Sequence, residues 1–156
     1  MEVSFTNQMK MIYEGNSWHA SLRDLLRSVT AEQAAWRPEQ GGHTIHEILN
    51  HLTYSATEVT SRFRTGEAGW DEAASWVTTP PAFTDAEWES AIARHEVARD
   101  ALAAAINNLS EEALSAKRND GRPSFRDMAQ QVIHHEAFHA GQIALLRRLQ
   151  QQAALM

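Results

Sequence analysis

Two histidines near the C-terminal end of the sequence are the residues best suited to chemistry. His135 and His139 are four positions apart, and residues with this spacing lie one above the other on the same face of an α-helix. Two imidazoles in that arrangement can share one divalent cation, with each nitrogen ~2.0–2.1 Å from the ion. The pair therefore predicts two ligands of a single metal site.

The segment around this pair also matches two better-known metal motifs. His135-Glu-Ala-Phe-His139 has the H-E-x-x-H pattern of zinc proteases, in which the glutamate is a general base. Such enzymes usually take a third ligand downstream, but the chain from Ala140 to Met156 contains no His, Asp or Glu. Glu136 also gives one E-x-x-H motif, whereas di-iron bundles need two. We therefore expect the third ligand upstream and Glu136 on the solvated surface.

The helix that carries the pair is predicted to bury these polar side chains. Its heptad seam is Met128, Val132, His135, His139, Gln142, Leu146 and Leu149, and such a seam faces the core of a bundle. A buried polar group without a partner costs ~1–3 kcal/mol, so a shared metal is favoured over separate hydrogen bonds. Gln142 has two open roles, which are orienting a ligand imidazole or the substrate, and helix packing.

Several upstream histidines are candidates for the third ligand: His19, His43, His46, His51 and His95. Periodicity alone ranks His19 and His95 above His51, because both lie on predicted helix seams. His43 and His46 lie at a helix entry, where we expect them to be exposed. Asn16, His19 and His95 either line the cavity or have ordinary core or surface roles.

Helical periodicity over the whole chain predicts the elements that position these residues. We predict four long helices, at residues 5–28, 45–65, 85–108 and 125–152. Capping boxes are predicted at Thr30, Thr44 and Thr84. The connections 29–43 and 66–83 are long, so some neighbouring helices should run parallel. The expected class is all-α, a four-helix bundle with long crossover connections, in which Trp70 and Trp76 anchor the second connection.

Length and composition limit the classes of function. The 156 residues fit one domain, predicted to span 1–156, since domains commonly have ~100–150 residues. The absence of cysteine excludes disulfides, thiolate zinc sites and a cysteine nucleophile. A net charge of −6 argues against a nucleic-acid partner. We expect no membrane span and no signal peptide, and we expect a cytoplasmic protein.

Three segments together resemble the DinB/YfiT-like superfamily. They are Trp36-Arg-Pro38, Thr44-Ile-His-Glu-Ile-Leu-Asn-His51-Leu, and His135-Glu-Ala-Phe-His139-Ala-Gly-Gln142-Ile. The resemblance implies a four-helix bundle that binds one divalent metal ion, reported in the family as zinc, nickel or iron. It implies His51, His135 and His139 as the metal ligands. It also implies a homodimer, since many members form one, and some members are transferases or isomerases that use small thiols.

An open site of three histidines leaves room for water or substrate. We therefore expect a metal-dependent enzyme that activates a small thiol or water for transfer to, or hydrolysis of, a small electrophilic substrate. The alternative from another class is a non-catalytic metal-binding module that dimerises and serves in a stress response. A third interpretation is a purely structural bundle with a hydrogen-bonded polar core and no metal.

Overall fold

Every regular element of the protein is a helix in the part of the chain that the structure describes. This computed structural model describes residues 4–15, 18–39, 41–66, 69–116, 122–153 and 155. The helices are α1 (Phe5–Glu14), α2 (Leu22–Leu26), α3 (Ala31–Ala35), α4 (Ile45–Thr65), α5 (Glu72–Ser75), α6 (Asp85–Asn107), α7 (Glu111–Ser115) and α8 (Phe125–Ala153). The predicted all-α class is confirmed.

The helix starts are set by local side-chain chemistry. Thr30, Thr44 and Thr84 each accept a hydrogen bond from the backbone N–H three residues later, and the Gln or Glu there bonds back. These are the three predicted capping boxes, which satisfy backbone donors that a helix start leaves unpaired. Helix α4 ends at Gly66, whose φ of 74° is the left-handed conformation that glycine adopts without strain.

The prediction of one long first helix over residues 5–28 is wrong. Helix α1 ends at Glu14, where Gly15 takes a φ of 104°, and α2 begins only after Ser21, whose side chain caps it. The apolar periodicity continued across the break because Leu22, Leu25 and Leu26 pack into the same core as α1. Within the described ranges there are thus three long helices and a short α1, and the segment that carries His19 is a connection.

Helices α1, α4, α6 and α8 surround the core. Helix α4 contacts α6 and α8, and α1 contacts the same two helices. Helices α4 and α6 run in the same direction, since His46 near the start of α4 is close to Glu87 and Thr53 further along contacts His95. The parallel neighbours predicted from the long connections are present.

Two apolar clusters fill the bundle and leave a polar layer between them. The first cluster includes Leu22, Leu26, Ile45, Leu49, Trp88 and Ile143. The second includes Met9, Val59, Phe63, Leu102, Met128 and Ile133. Helix α8 runs opposite to α4, so that Phe125 packs on Phe63 near the far end. The middle of α8 therefore meets the first half of α4, and the buried polar residues lie at this level.

None of the described helices combines the length and the apolar character that a bilayer crossing demands. Asn16, one of the candidate cavity residues, lies outside the described residues.

Candidate metal centre

Three histidines from two helices converge in the polar layer. His51 on α4 has its Nε2 atom 3.0 Å from Nε2 of His135 on α8, and Nε2 of His139 is 3.0 Å from the same atom. His51 and His139 are buried, and His135 is partly buried. Among the described residues, this is the group of three or more potential ligands that could hold a metal ion. The structure thus brings together the three residues that the family resemblance implied.

The protonation of the rings can be worked out from their contacts. Nδ1 of His139 lies 2.6 Å from Oε1 of Gln142, an atom that only accepts, so Nδ1 carries the proton and Nε2 carries a lone pair. Nε2 of His135 faces both other Nε2 atoms, but a neutral ring has one N–H and can satisfy only one of them. Hydrogen bonds among three neutral rings therefore satisfy only one of these two contacts.

A divalent cation bound by all three Nε2 atoms would remove this conflict. Nitrogen ligands ~2.0–2.1 Å from a tetrahedral zinc ion are separated from one another by ~3.3 Å. The two 3.0 Å contacts that His135 makes with His51 and His139 are close to that separation, and all three ligand atoms lie within 4.8 Å of one another. Gln142 meanwhile fixes the His139 ring in the form that can bind, as residues behind a metal ligand commonly do. The donor set and its geometry fit one divalent ion.

Burial keeps all three rings neutral. Burial, together with the nearby His139 and His51, lowers the pKa of His135 to about 4. Burial also lowers the pKa of His51, with His139 as the next cause. For His139, burial lowers the pKa more than the bond to Gln142 raises it. Neutral imidazole is the form that binds metal, so the site has no proton to displace near pH 7.

Aromatic residues of the second long connection cover the His51 side of the cluster. Trp76 stacks on His51 with 3.9 Å between ring centroids, and His43 stacks on the opposite face of Trp76 at 3.7 Å. Trp70 meets His51 edge-on at 5.9 Å. Glu72 accepts hydrogen bonds from the indole N–H groups of both tryptophans. The two tryptophans therefore anchor the connection, as predicted, and they do so directly over a candidate ligand.

The prediction that Glu136 is a solvated surface residue is wrong. Glu136 is buried, and its Oε1 accepts a 2.6 Å hydrogen bond from Nε of Arg99 on α6. The buried stripe of α8 lies about one residue beyond the predicted seam, and runs through Ala129, Ile133, Glu136, Ala140 and Ile143. These residues also follow alternating steps of four and three, so the sequence contained this signal.

Arg99 was not recognised from the sequence. Its guanidinium donates to the carbonyl of Met9 and lies 4.0 Å from the ring centroid of Tyr13. It follows His95 at a four-residue step on the inward face of α6, where a charge stands out among apolar residues. Arg99 and Glu136 form a buried ion pair next to the histidine cluster.

The other candidate histidines do not join the cluster. His95 is 1% exposed, and burial lowers its pKa to about 3. His19 is exposed in the connection after α1. The expected exposure of His46 is wrong, because the segment after α5 folds back over the start of α4. His46 is buried there and contacts Thr79 and Asn50.

Comparison with known proteins identifies one family. The profile of the DinB superfamily matches residues 17–143, a range that contains all three clustered histidines. No curated protein and no solved structure shows significant similarity to the chain.

Proposed function

Because this chain belongs to the DinB superfamily, we propose that it binds one divalent metal ion through His51, His135 and His139. The observation that carries this proposal is the convergence of three Nε2 atoms that hydrogen bonds alone cannot satisfy. The candidate ions are zinc, nickel and iron, since a set of three imidazoles suits each of them.

We further propose that the site is catalytic. Three protein ligands leave a coordination position open, as in catalytic zinc sites. A divalent ion in such a site lowers the pKa of a coordinated water or thiol towards neutrality. The chain's own residues complete the site, since Gln142 orients His139, Trp76 shields His51, and Phe138 presents an exposed apolar ring beside His139. The proposed reaction is transfer of a small thiol to, or hydrolysis of, a small electrophile.

The test is a turnover screen with the metal-loaded protein. Small thiols would be offered with electrophilic acceptors, and esters and amides would be offered with water alone. We expect turnover that disappears in His51→Ala and persists in His43→Ala, because His43 stacks on Trp76 outside the cluster. Turnover that is equal in the wild type and His51→Ala, or absent from both, would contradict a catalytic site.

A specific surface supports dimerisation, which is part of the second candidate, a non-catalytic metal-binding module. An apolar groove of about 700 Å³ lies along the outer faces of α4 and α6, and Val97 at its edge is 70% exposed. Arg94 lies three residues before Val97, and Asp100 lies three residues after it. In a two-fold antiparallel pairing of α6 centred on Val97, Arg94 would meet Asp100 of a second copy.

This candidate is tested by the mass of the protein in solution. Light scattering should show a dimer for the wild type and a monomer for Val97→Glu, which places a charge at the centre of the pairing. Val77→Glu is a matched control, because Val77 is also exposed and lies outside this groove. A wild-type monomer, or a Val97→Glu dimer of unchanged affinity, would contradict the proposed interface.

A further inference from the structure

A buried nitrogen on the inner face of α6 has no protein partner. His95 is 1% exposed, and among the described residues no group forms a hydrogen bond with its Nε2 atom. Oε1 of Glu136 lies 4.0 Å from this nitrogen, which is too far for a direct hydrogen bond. A buried polar atom without a hydrogen-bond partner destabilises the folded protein by ~1–3 kcal/mol, so we expect some further group to serve as the partner of Nε2.

The contact on the other side of the ring shows which nitrogen carries the proton. The hydroxyl of Thr53 donates its only proton to the carbonyl of Leu49. Its oxygen lies 3.3 Å from Nδ1 of His95, so in this contact Nδ1–H must donate and the hydroxyl must accept. Because burial keeps the ring neutral, Nε2 holds a lone pair. A lone pair and a carboxylate oxygen therefore face each other across 4.0 Å.

Two acceptors in this position repel each other unless a donor lies between them. His95 and Glu136 both line an internal cavity with about 10 Å³ of room for the centre of a water-sized molecule. That is roughly the room that one ordered water needs. Ser55 also lines this cavity, but it cannot donate to either acceptor because its hydroxyl already donates to the carbonyl of His51.

We propose that this cavity binds one ordered water molecule that donates one hydrogen bond to Nε2 of His95 and the other to Oε1 of Glu136. Arg99 lines the same cavity, and its guanidinium can donate to the water oxygen. The water then has three polar partners, the usual number for a buried water. The site selects a small neutral molecule with two donors, since halide ions bring no donor and larger molecules do not fit.

The proposed water site lies next to the histidine cluster. His135 also lines the cavity, so the water lies directly beside a candidate ligand. With Arg99 it engages the carboxylate of Glu136 and holds it within the core. His95 is thus a positioning residue for Glu136. The proposed water site belongs to the metal-free chain and does not depend on metal binding or catalysis.

The test uses nuclear magnetic resonance on the metal-free wild-type protein. Long-range proton–nitrogen correlations should show that His95 carries its proton on Nδ1. Cross-relaxation should connect a slowly exchanging water to the methyl groups of Leu52, Ala56 and Val132, which line the cavity. A proton on Nε2 would overturn the proposal, because Nε2 would then be a donor and could not accept a hydrogen bond from the water. Absence of a slow water at these methyl groups would overturn it as well.

A variant tests the same site by removing the acceptor. His95→Phe keeps an aromatic ring but has no nitrogen lone pair, and we expect the slow-water signal to disappear. His19→Phe is the matched control, because His19 is exposed and the signal should survive there. A water signal that is unchanged in a folded His95→Phe protein would overturn the proposal. If this variant does not fold, the two wild-type measurements decide the question.

Discussion

The buried ion pair of Arg99 and Glu136 gives the sharpest stability prediction. The side chains are 10% and 8% exposed, with Nε and Oε1 2.6 Å apart. Arg99→Met removes this bond, the bond to the carbonyl of Met9 and the contact with the Tyr13 ring. The carboxylate of Glu136 then lies in the core without its partner. Breaking a buried pair from one side costs ~3–5 kcal/mol.

The double variant should recover most of this loss. In Arg99→Met/Glu136→Leu both charges are absent, and an apolar replacement of a whole buried pair is often neutral or better by ~1–4 kcal/mol. We therefore expect the double variant to be within ~1–2 kcal/mol of the wild type. The single variant should lose ~3–5 kcal/mol, which for a domain of this size corresponds to a Tm roughly 6–20 °C lower.

The assay is urea unfolding of the metal-free proteins, with equal m-values as the check on two-state behaviour. Arg27→Met is the matched control, since Arg27 pairs with Asp24 at an exposed site and should change stability by no more than ~0.5 kcal/mol. A loss of less than ~1 kcal/mol of unfolding free energy in Arg99→Met would refute this prediction. A double variant whose loss equals the summed losses of Arg99→Met and Glu136→Leu would refute it as well.

Three further predictions concern the residues around the cluster. Gln142→Leu should weaken metal binding roughly 10–100-fold in a chelator competition, because Nδ1 of His139 loses its acceptor. Trp76→Leu should speed metal loss to a chelator roughly 2–10-fold, because stacking on the ligand beneath it is worth ~0.5–1.5 kcal/mol. Burial lowers the pKa of His95 from 6.5 to about 3. As the pH falls, the His95 imidazole therefore binds a proton in the unfolded chain before it does so in the folded chain. His95 alone should then lower the unfolding free energy as pH drops through that interval, by up to ~1.4 kcal/mol per pH unit, and His95→Gln should reduce the slope by that amount.

The helices could be predicted where their ends are set by local chemistry. The capping boxes at Thr44 and Thr84 fixed the starts of α4 and α6 to the residue, because a cap depends on side chains within one turn. The break at Gly15 was missed. Apolar residues continue beyond it at helical spacing, and periodicity does not distinguish one helix from two that pack on the same core.

The candidate site was predictable only in part. His135 and His139 follow from their spacing on one helix, whereas His51 came from the family resemblance. Periodicity ranked His19 and His95 higher, because it describes each helix alone and does not reveal which helices adjoin. The same limit explains the missed pair of Arg99 and Glu136, which are 37 positions apart in the chain and meet across the core between α6 and α8.

Metal stoichiometry is the most direct test of the central claim. The protein would be stripped with a chelator, reloaded separately with zinc, nickel and ferrous iron, desalted and analysed for bound metal. We predict about one ion per chain for at least one of these metals, in keeping with three converging imidazoles. Binding should be lost in His135→Ala and kept in His43→Ala. A wild-type protein that retains no metal, or a His135→Ala protein that retains as much as the wild type, would contradict the account.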